Sequence, residues 1–461
     1  MIEQNFDEAL PPDWVKANID DVYNELVILR QVIPWQLILD QLVSFYHPGK
    51  GRIGNSLRVM VGLLIISRLR KLSDREVVGQ VKENRYLQYF CNVAESELSN
   101  FIHPTALCGF RKRLGEKGIA QIEESVFSHL SSAGVIEGDT LLMDSTVLAN
   151  NLIYPTDVRL VYQAFSKMKT FAQRYQLAVW WDSAHLKKRW RAFGRSKTPQ
   201  RATYLAEFYL LFAPALQTLR DNFAVLKISP EESQLLATLE ILETQTQQKL
   251  AGKRHIANRL VSLEEIDARP IKKGKTYPTC EFGSTVQMTF NRQGFMITTE
   301  NFIGQPGDAT LYGNTLKCFQ TRMDITPQSV ITDLGFRSQD NFSNTPNSIE
   351  HVFLGRSDDV IESRQDFCRR ARSATEGFIA VSKNLRGFGK SLYNGRGAAK
   401  RLTGDRIWTL LCQTAYNLKK LVQLTKAGNL SCENLLKLGI SMSNQEQQTK
   451  GSSRLRWDST T

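Results

Sequence analysis

No apolar run in this 461-residue sequence is long enough to cross a bilayer. The longest clean one is Val59–Ile66, and the stretch Leu205–Leu216 is interrupted by Glu207, whereas a spanning helix needs about 20 residues. A basic leader followed by an apolar segment is missing as well. The opening Met1–Trp14 carries Glu3, Asp7, Glu8 and Asp13, so secretion through a signal peptide is not expected. Paired cysteines are also lacking: the seven (Cys91, Cys108, Cys280, Cys318, Cys368, Cys412, Cys432) are odd in number and never spaced Cys-x-x-Cys. No zinc site can be read from them, and they suit reduced thiols in a cytosol. Histidine is scarce. His47, His103, His129, His185, His255 and His351 have no ligand spacing, and each reads as structural or surface. Acidic charge is in deficit, 46 Asp and Glu against 59 Lys and Arg, leaving +13. Such an excess points to a polyanionic partner, nucleic acid ahead of an anionic membrane surface. What is present is core-forming material: 42% hydrophobic and 9% aromatic residues exclude global disorder, and the length suits about two to four domains.

Residues 1–135 read as helical. Pro34 precedes Trp35, Ile38, Leu39, Leu42 and Val43 at helical spacing, and Ser56–Arg70 is apolar with Arg58, Arg68 and Arg70 expected on its polar positions. Ser73-Asp74-Arg75-Glu76 fits a capping box. Short helices joined by tight turns, with Arg111-Lys112-Arg113 nearby, suit helix-turn-helix DNA reading and equally an ordinary bundle with solvated charges. The period changes at Asp139. Thr140–Val147 reads as a strand carrying Asp144, and 157–276 reverts to helical spacing. Phe282–Phe290 and Gly294–Phe302 form a hairpin through Asn291-Arg292-Gln293. A helix near Thr315–Met323, strands Ser329–Thr332 and His351–Leu354, a helix from about Asp358 to Asn384 and a closing helix Thr403–Lys426 complete the order. That order describes an α/β fold, a mixed sheet flanked by helices, with a helical insertion between its first and second strands. The expected division is 1–135 helical, 136–156 with 277–426 the sheet domain, 157–276 the insertion, and 427–461 a polar tail.

Asp144 in Asp144-Ser145-Thr146 and Asp333 in Asp333-Leu334-Gly335-Phe336 end expected strands. Ligand sites of α/β sheets lie at the carboxyl ends of strands, so the two carboxylates could meet; each could equally start a turn. Arg369, Arg372, Glu376 and Lys383 share one face of the long helix, as a catalytic set or as a solvated stripe.

Taken as an ordered set, these elements resemble the DDE transposases of bacterial insertion sequences, whose catalytic core is ribonuclease-H-like. The family's helix motif is Tyr-x-x-Arg-x-x-x-Glu-x-x-x-x-x-x-Lys; Arg372, Glu376 and Lys383 stand at its intervals, and Arg369 occupies the tyrosine position. Asp144-Ser-Thr, the approach Asp267-Ala-Arg269-Pro270-Ile-Lys-Lys273, and Asp333-x-Gly-Phe carry the rest. Asp-Ser-Thr alone is uninformative, since the tail repeats it at Asp458-Ser459-Thr460. The resemblance implies Asp144, Asp333 and Glu376 as catalytic residues and ligands of two Mg²⁺ ions, with Mn²⁺ as a substitute. One ion would activate a water or 3′-hydroxyl and the other would stabilise the leaving oxygen. It implies phosphate contacts for Arg372 and Lys383, and an enzyme that binds terminal inverted repeats in double-stranded DNA, cleaves at the ends and joins 3′-hydroxyls to target DNA. Two ends imply at least a homodimer, working in the cytoplasm at the nucleoid. A ribonuclease-H-like nuclease without strand transfer, and a domesticated copy that only binds DNA, are the alternatives.

Between Ser183 and Arg201 stand Lys187, Lys188, Arg189, Arg191, Arg195, Lys197 and Arg201 with no acid, interleaved with Trp190 and Phe193. This is an electrostatic footprint for a DNA backbone, or a solvated loop. Trp180 and Trp181 suit core packing better than base stacking. Gly389-Lys390-Ser391 is not a phosphate loop, because position 384 is Asn and the segment follows a helix.

Overall fold

The computed structural model describes residues 10–47, 54–196, 201–272, 280–393 and 401–440. Lys197, Lys273 and the tail from 441, all weighed above, lie outside the described residues. In chain order the elements are α1 (Pro12–Asn18), α2 (Glu25–Val32), α3 (Trp35–Val43), α4 (Leu57–Leu69), α5 (Asp74–Glu83), α6 (Arg85–Cys91), α7 (Thr105–Ser132), β1 (Thr140–Asn150), α8 (Asp157–Arg174), α9 (Ser183–Arg195), α10 (Arg201–Val225) and α11 (Pro230–Leu250). Then come β2 (Arg269–Ile271), β3 (Glu281–Phe290), β4 (Met296–Ile303), α12 (Asp308–Met323), β5 (Ser329–Thr332), α13 (Gln339–Ser343), β6 (His351–Leu354), α14 (Glu362–Arg386), β7 (Lys390–Ser391), α15 (Arg401–Lys426) and α16 (Cys432–Lys437). They form two compact units, one from the described residues of Met1–Leu114, Ala120–Glu137 and Thr414–Thr461, the other from Gly115–Ile119 and Gly138–Gln413.

The first unit is helical. Ser73 and Glu76 make the capping box in full, each side chain meeting the other's backbone N–H, and Arg111 grips Asp74 with both guanidinium nitrogens at 2.8 and 2.6 Å. The cap and the clamp fix where α5 begins. Arg58 and Arg68 are not on a polar face: α4 is buried all round. The Arg58 guanidinium lies 3.0 Å from the centre of the Trp35 ring and donates to the Phe90 carbonyl at 2.6 Å. The aromatic face and the carbonyl offset the cost of desolvating the charge. α16, with Leu435 buried, falls within the region expected as a polar tail. No single helix among the described residues is long and apolar enough to cross a membrane; the apolar pair α2 and α3 is bent by 59°, and they bury Leu26, Leu29, Leu39 and Leu42.

The second unit is built on a seven-stranded mixed sheet of order β2-β3-β1-β5-β6, with β4 on β3 and β7 on β1. β3 runs antiparallel to β1, β2 and β4, while β5 and β7 run parallel to β1 and β6 parallel to β5. α12 packs against β1, β3 and β4, and α14 against β1 and β5. The insertion, α8 to α11, has a core of its own around Val161, Phe165, Phe208, Phe212 and Leu239. Trp180 donates to the Ala215 carbonyl at 2.9 Å and Trp181 tilts against Phe165, ring centres 5.4 Å apart, so both tryptophans pack against that core. All seven cysteines are free.

β1 and β5 meet over only Thr140–Leu142 and Ser329–Ile331, so that pairing depends on apolar burial. Leu142 is 1% exposed. Leu142→Ala should lower the unfolding free energy of this unit by about 2–5 kcal/mol, the scale of a cavity in a packed core. Denaturant unfolding followed by far-UV circular dichroism checks this.

Candidate functional site

The level of Asp144 in the sheet is set by its neighbours. Leu142 stands opposite Ile331 in the parallel pair. Two residues further along each chain come Asp144 and Asp333, the latter still extended at φ −86° and ψ 178°. Equal offsets from a registered pair keep both at one level of the sheet. Leu142 also faces Phe290 on β3, and the Phe290 ring meets Phe378 of α14 with centres 5.6 Å apart. The Asp144 face is therefore the one that α14 covers. β5 ends beside β1 at Leu142, and β7 begins only at Ala149. The edge of β1 that carries Asp144 thus opens between two strand ends, the crevice in which α/β sheets hold ligands.

Glu376 is on α14 and 65% exposed, its carboxylate 3.5 Å from the Arg372 guanidinium one turn earlier. Arg369 pairs with Asp366 at 2.6 Å. Lys383 lies elsewhere. Its ammonium is 4.0 Å from Glu281 at the start of β3, near the Ala149 level of β1 and not beside Asp144. Among the described residues no group of three or more His, Cys, Asp and Glu gathers closely enough to hold a metal ion. The sheet thus brings Asp144 and Asp333 to one level, while Glu376 stands exposed on the helix that packs on β1 and β5, paired with Arg372.

The Asp333 turn is fixed from several sides. Asp333 caps it by accepting from the Gly335 N–H at 2.9 Å. Phe336 is fully buried. Asn341 donates both to the Phe336 carbonyl at 2.7 Å and to the Ala309 carbonyl at 2.9 Å, joining the turn to the start of α12. One carboxylate that the sequence reading missed is Asp308: it accepts from the Ser145 hydroxyl at 2.6 Å. Its signal was slight, an acid directly after Pro306-Gly307 where a helix could begin.

The basic stretch, expected as a DNA-backbone footprint or a solvated loop, lies largely on the helix α9. Its buried side carries Leu186, with Trp190 stacked on Tyr162 at 4.4 Å between ring centres. Lys187, Lys188, Arg191 and Arg195 are exposed, and three of them recur every four residues along one face. Arg189 differs, since it pairs with Glu207 of α10 and lies 5.2 Å from the centre of the Tyr204 ring.

Residues 15–113, in the helical first unit, match the family described as transposase domain (DUF772). An uncharacterized protein, ORF8 in the nfe locus of Rhizobium meliloti, is 30% identical over 183 residues, which is 38% of this chain and 88% of that protein. The chain belongs to the same family as that protein. No solved structure gives a significant match.

Gly355 ends β6 at φ +90°, and a Cβ there would come within 2.6 Å of the Leu334 backbone nitrogen. Gly355→Ala should therefore cost about 2 kcal/mol or more, from left-handed strain and overpacking together. Thermal unfolding reads the cost, and amide exchange over residues 333–336 should rise with it.

Proposed function

We propose that this chain is an insertion-sequence transposase of the DDE type, with a ribonuclease-H-like catalytic core. In this reading it binds the terminal inverted repeats of its element, cleaves DNA at the ends and transfers the 3′-hydroxyls to target DNA. The observation that carries the reading is the shared level of Asp144 and Asp333 on parallel neighbouring strands, under a helix that bears Glu376. The transposase-domain match supports it independently.

The donor set suits a hard divalent cation, because carboxylate oxygens from two strands and a helix are the ligands Mg²⁺ takes, with Mn²⁺ as a substitute. Asp144, Asp333 and Glu376 would hold it, Glu376 after leaving Arg372. When bound, such ions activate the attacking oxygen of an in-line displacement and stabilise the leaving one. The chain's own groups do the remaining work. The crevice beside β1 admits the backbone, and Arg372, freed from Glu376, meets a phosphate with its planar fork. Lys383 meets the duplex further along β1. The exposed face of α9 follows the DNA backbone, while the capped helix α5, with Arg75, Lys82 and Arg85 exposed nearby, suits base reading. Two ends worked together call for at least a dimer in the active complex.

Incubating the chain with a duplex carrying the inverted repeats that flank its gene, together with a target plasmid and Mg²⁺, tests the reading. Cleaved ends joined to the target are expected. Cleavage without joining would leave a nuclease, and binding without cleavage a DNA-binding protein. Glu376→Gln should abolish cleavage while end binding stays within about twofold, since the basic surfaces that dominate affinity are untouched; cleavage at the wild-type rate would exclude Glu376 from the site.

A triple replacement of Lys187, Lys188 and Arg191 by Gln addresses α9. Binding to all duplexes should weaken uniformly, and the slope of log K against log salt should fall by up to about 2.7, at ~0.9 per phosphate contact. An unchanged slope would make α9 a solvated surface.

A further inference from the structure

Asp308 opens α12 on the face of the sheet opposite Asp144. Adjacent residues on a strand point to opposite faces, and it is Ser145, 93% buried, whose hydroxyl reaches Asp308 at 2.6 Å. The other Asp308 oxygen faces the Asp333 turn. A Cβ placed on Gly335 would stand 2.8 Å from Asp308 Oδ2 and 3.1 Å from Asp333 Oδ1, so the two carboxylates flank a residue that has no side chain to separate them. Asp308 thus touches the strand of one candidate carboxylate and adjoins the turn of the other. Asn341 ties the same two segments through the Ala309 and Phe336 carbonyls.

We propose that Asp308 is a positioning residue: through Ser145 and across Gly335 it fixes the level of Asp333 against Asp144. The proposal rests on the reading of Asp144 and Asp333 as the carboxylates of a cleavage site. A ligand role is the weaker assignment, because the Ser145 bond holds Asp308 on the α12 side of β1, while Asp144 and Glu376 belong to the α14 side. Charge-assisted hydrogen bonds of this length are among the stronger ones a side chain makes, and a shift of about 1 Å in a reacting group costs about a hundredfold in rate.

The test compares Asp308→Ala, Asp308→Asn and Ser145→Ala in the full chain. Readouts are kcat and KM for cleavage of an end duplex, the Mg²⁺ concentration for half-maximal rate, and amide exchange over residues 334–336. Asp308→Ala and Ser145→Ala should each lower kcat about ten- to a hundredfold with KM unchanged, and should speed exchange at the Gly335 amide. Asp308→Asn keeps an acceptor for Ser145 and should stay within about fivefold of wild type, the scale of exchanging a charged acceptor for a neutral one. Wild-type kcat and exchange in Asp308→Ala and Ser145→Ala would overturn the proposal. So would an Asp308→Asn as slow as Asp308→Ala with a raised Mg²⁺ requirement, which would make Asp308 a ligand. Should the unmodified chain cleave no duplex, the cleavage reading fails, and exchange in the three variants still decides whether Asp308 holds the turn.

Discussion

The three-residue parallel pairing of β1 with β5 is the constraint on which the site depends. Parallel strands cannot be joined by a tight turn, and here the insertion, a hairpin and α12 all lie between the two. Nothing local fixes the register; burial does. Leu141, Leu142, Val330 and Ile331 are each at most 1% exposed, and burying one such side chain contributes about 1.5–3 kcal/mol, against about 1 kcal/mol net for a ladder hydrogen bond. A slip of one residue would exchange the faces of β1. Asp144 would then meet α12, and Ser145 would meet α14. The position of a carboxylate in the crevice is therefore a by-product of apolar residues packed two positions earlier.

Charge is distributed on a different principle. The Arg372–Glu376 pair is exposed at both ends, and such helical pairs contribute only about 0.3–0.5 kcal/mol. A phosphate presented to the same guanidinium forms stronger, bidentate bonds, so the pair cannot hold Glu376 against a DNA backbone. On α9 the opposite holds: Arg189 is committed to Glu207 and Tyr204, and its role is to seat the helix. The neighbouring exposed cations owe their availability to that seat.

Much of the fold was legible because periodicity and caps are local. Ser329–Thr332 and His351–Leu354 are strands over the expected residues, and the Ser73 capping box is real. β1 runs to Asn150 and not to Val147 because β3 and β7 pair with its far end, which no local pattern announces. α12 begins at Asp308, well before Thr315, since a helix start after Pro306-Gly307 looks like the end of a loop. That error concealed Asp308. Arg58 was misassigned to a polar face because its partners, Trp35 and Phe90, come from other helices. At the site, Asp333 does follow a strand end, whereas Asp144, expected at one, sits inside β1 because β3 and β7 carry that strand on to Asn150; the common level of the two rests on a pairing between residues far apart in the chain. Lys383 stands two turns beyond Glu376 on the continuous helix α14, and there its neighbour is Glu281 at the start of β3.

The insertion explains how a sheet can carry so long an excursion without losing that level. Asp157, at the start of α8, accepts from Arg259 with both oxygens at 2.8 Å, so the chain leaving β1 and the chain returning toward β2 are clamped at a common stem. Asn150, the last residue of β1, donates to Glu265 at 3.4 Å on the return. Closing a loop costs only about 0.6 kcal/mol more for each doubling of its length, and the insertion core, with Phe208, Phe212 and Leu239 fully buried, offsets its own ordering. The sheet therefore bears the cost of a short stem and not of the whole insertion. Because the stem is pinned to the end of β1, α9 is carried on a support continuous with the strand of Asp144. A basic face on such a support is held in a fixed relation to the crevice, which a free loop of the same charge could not be.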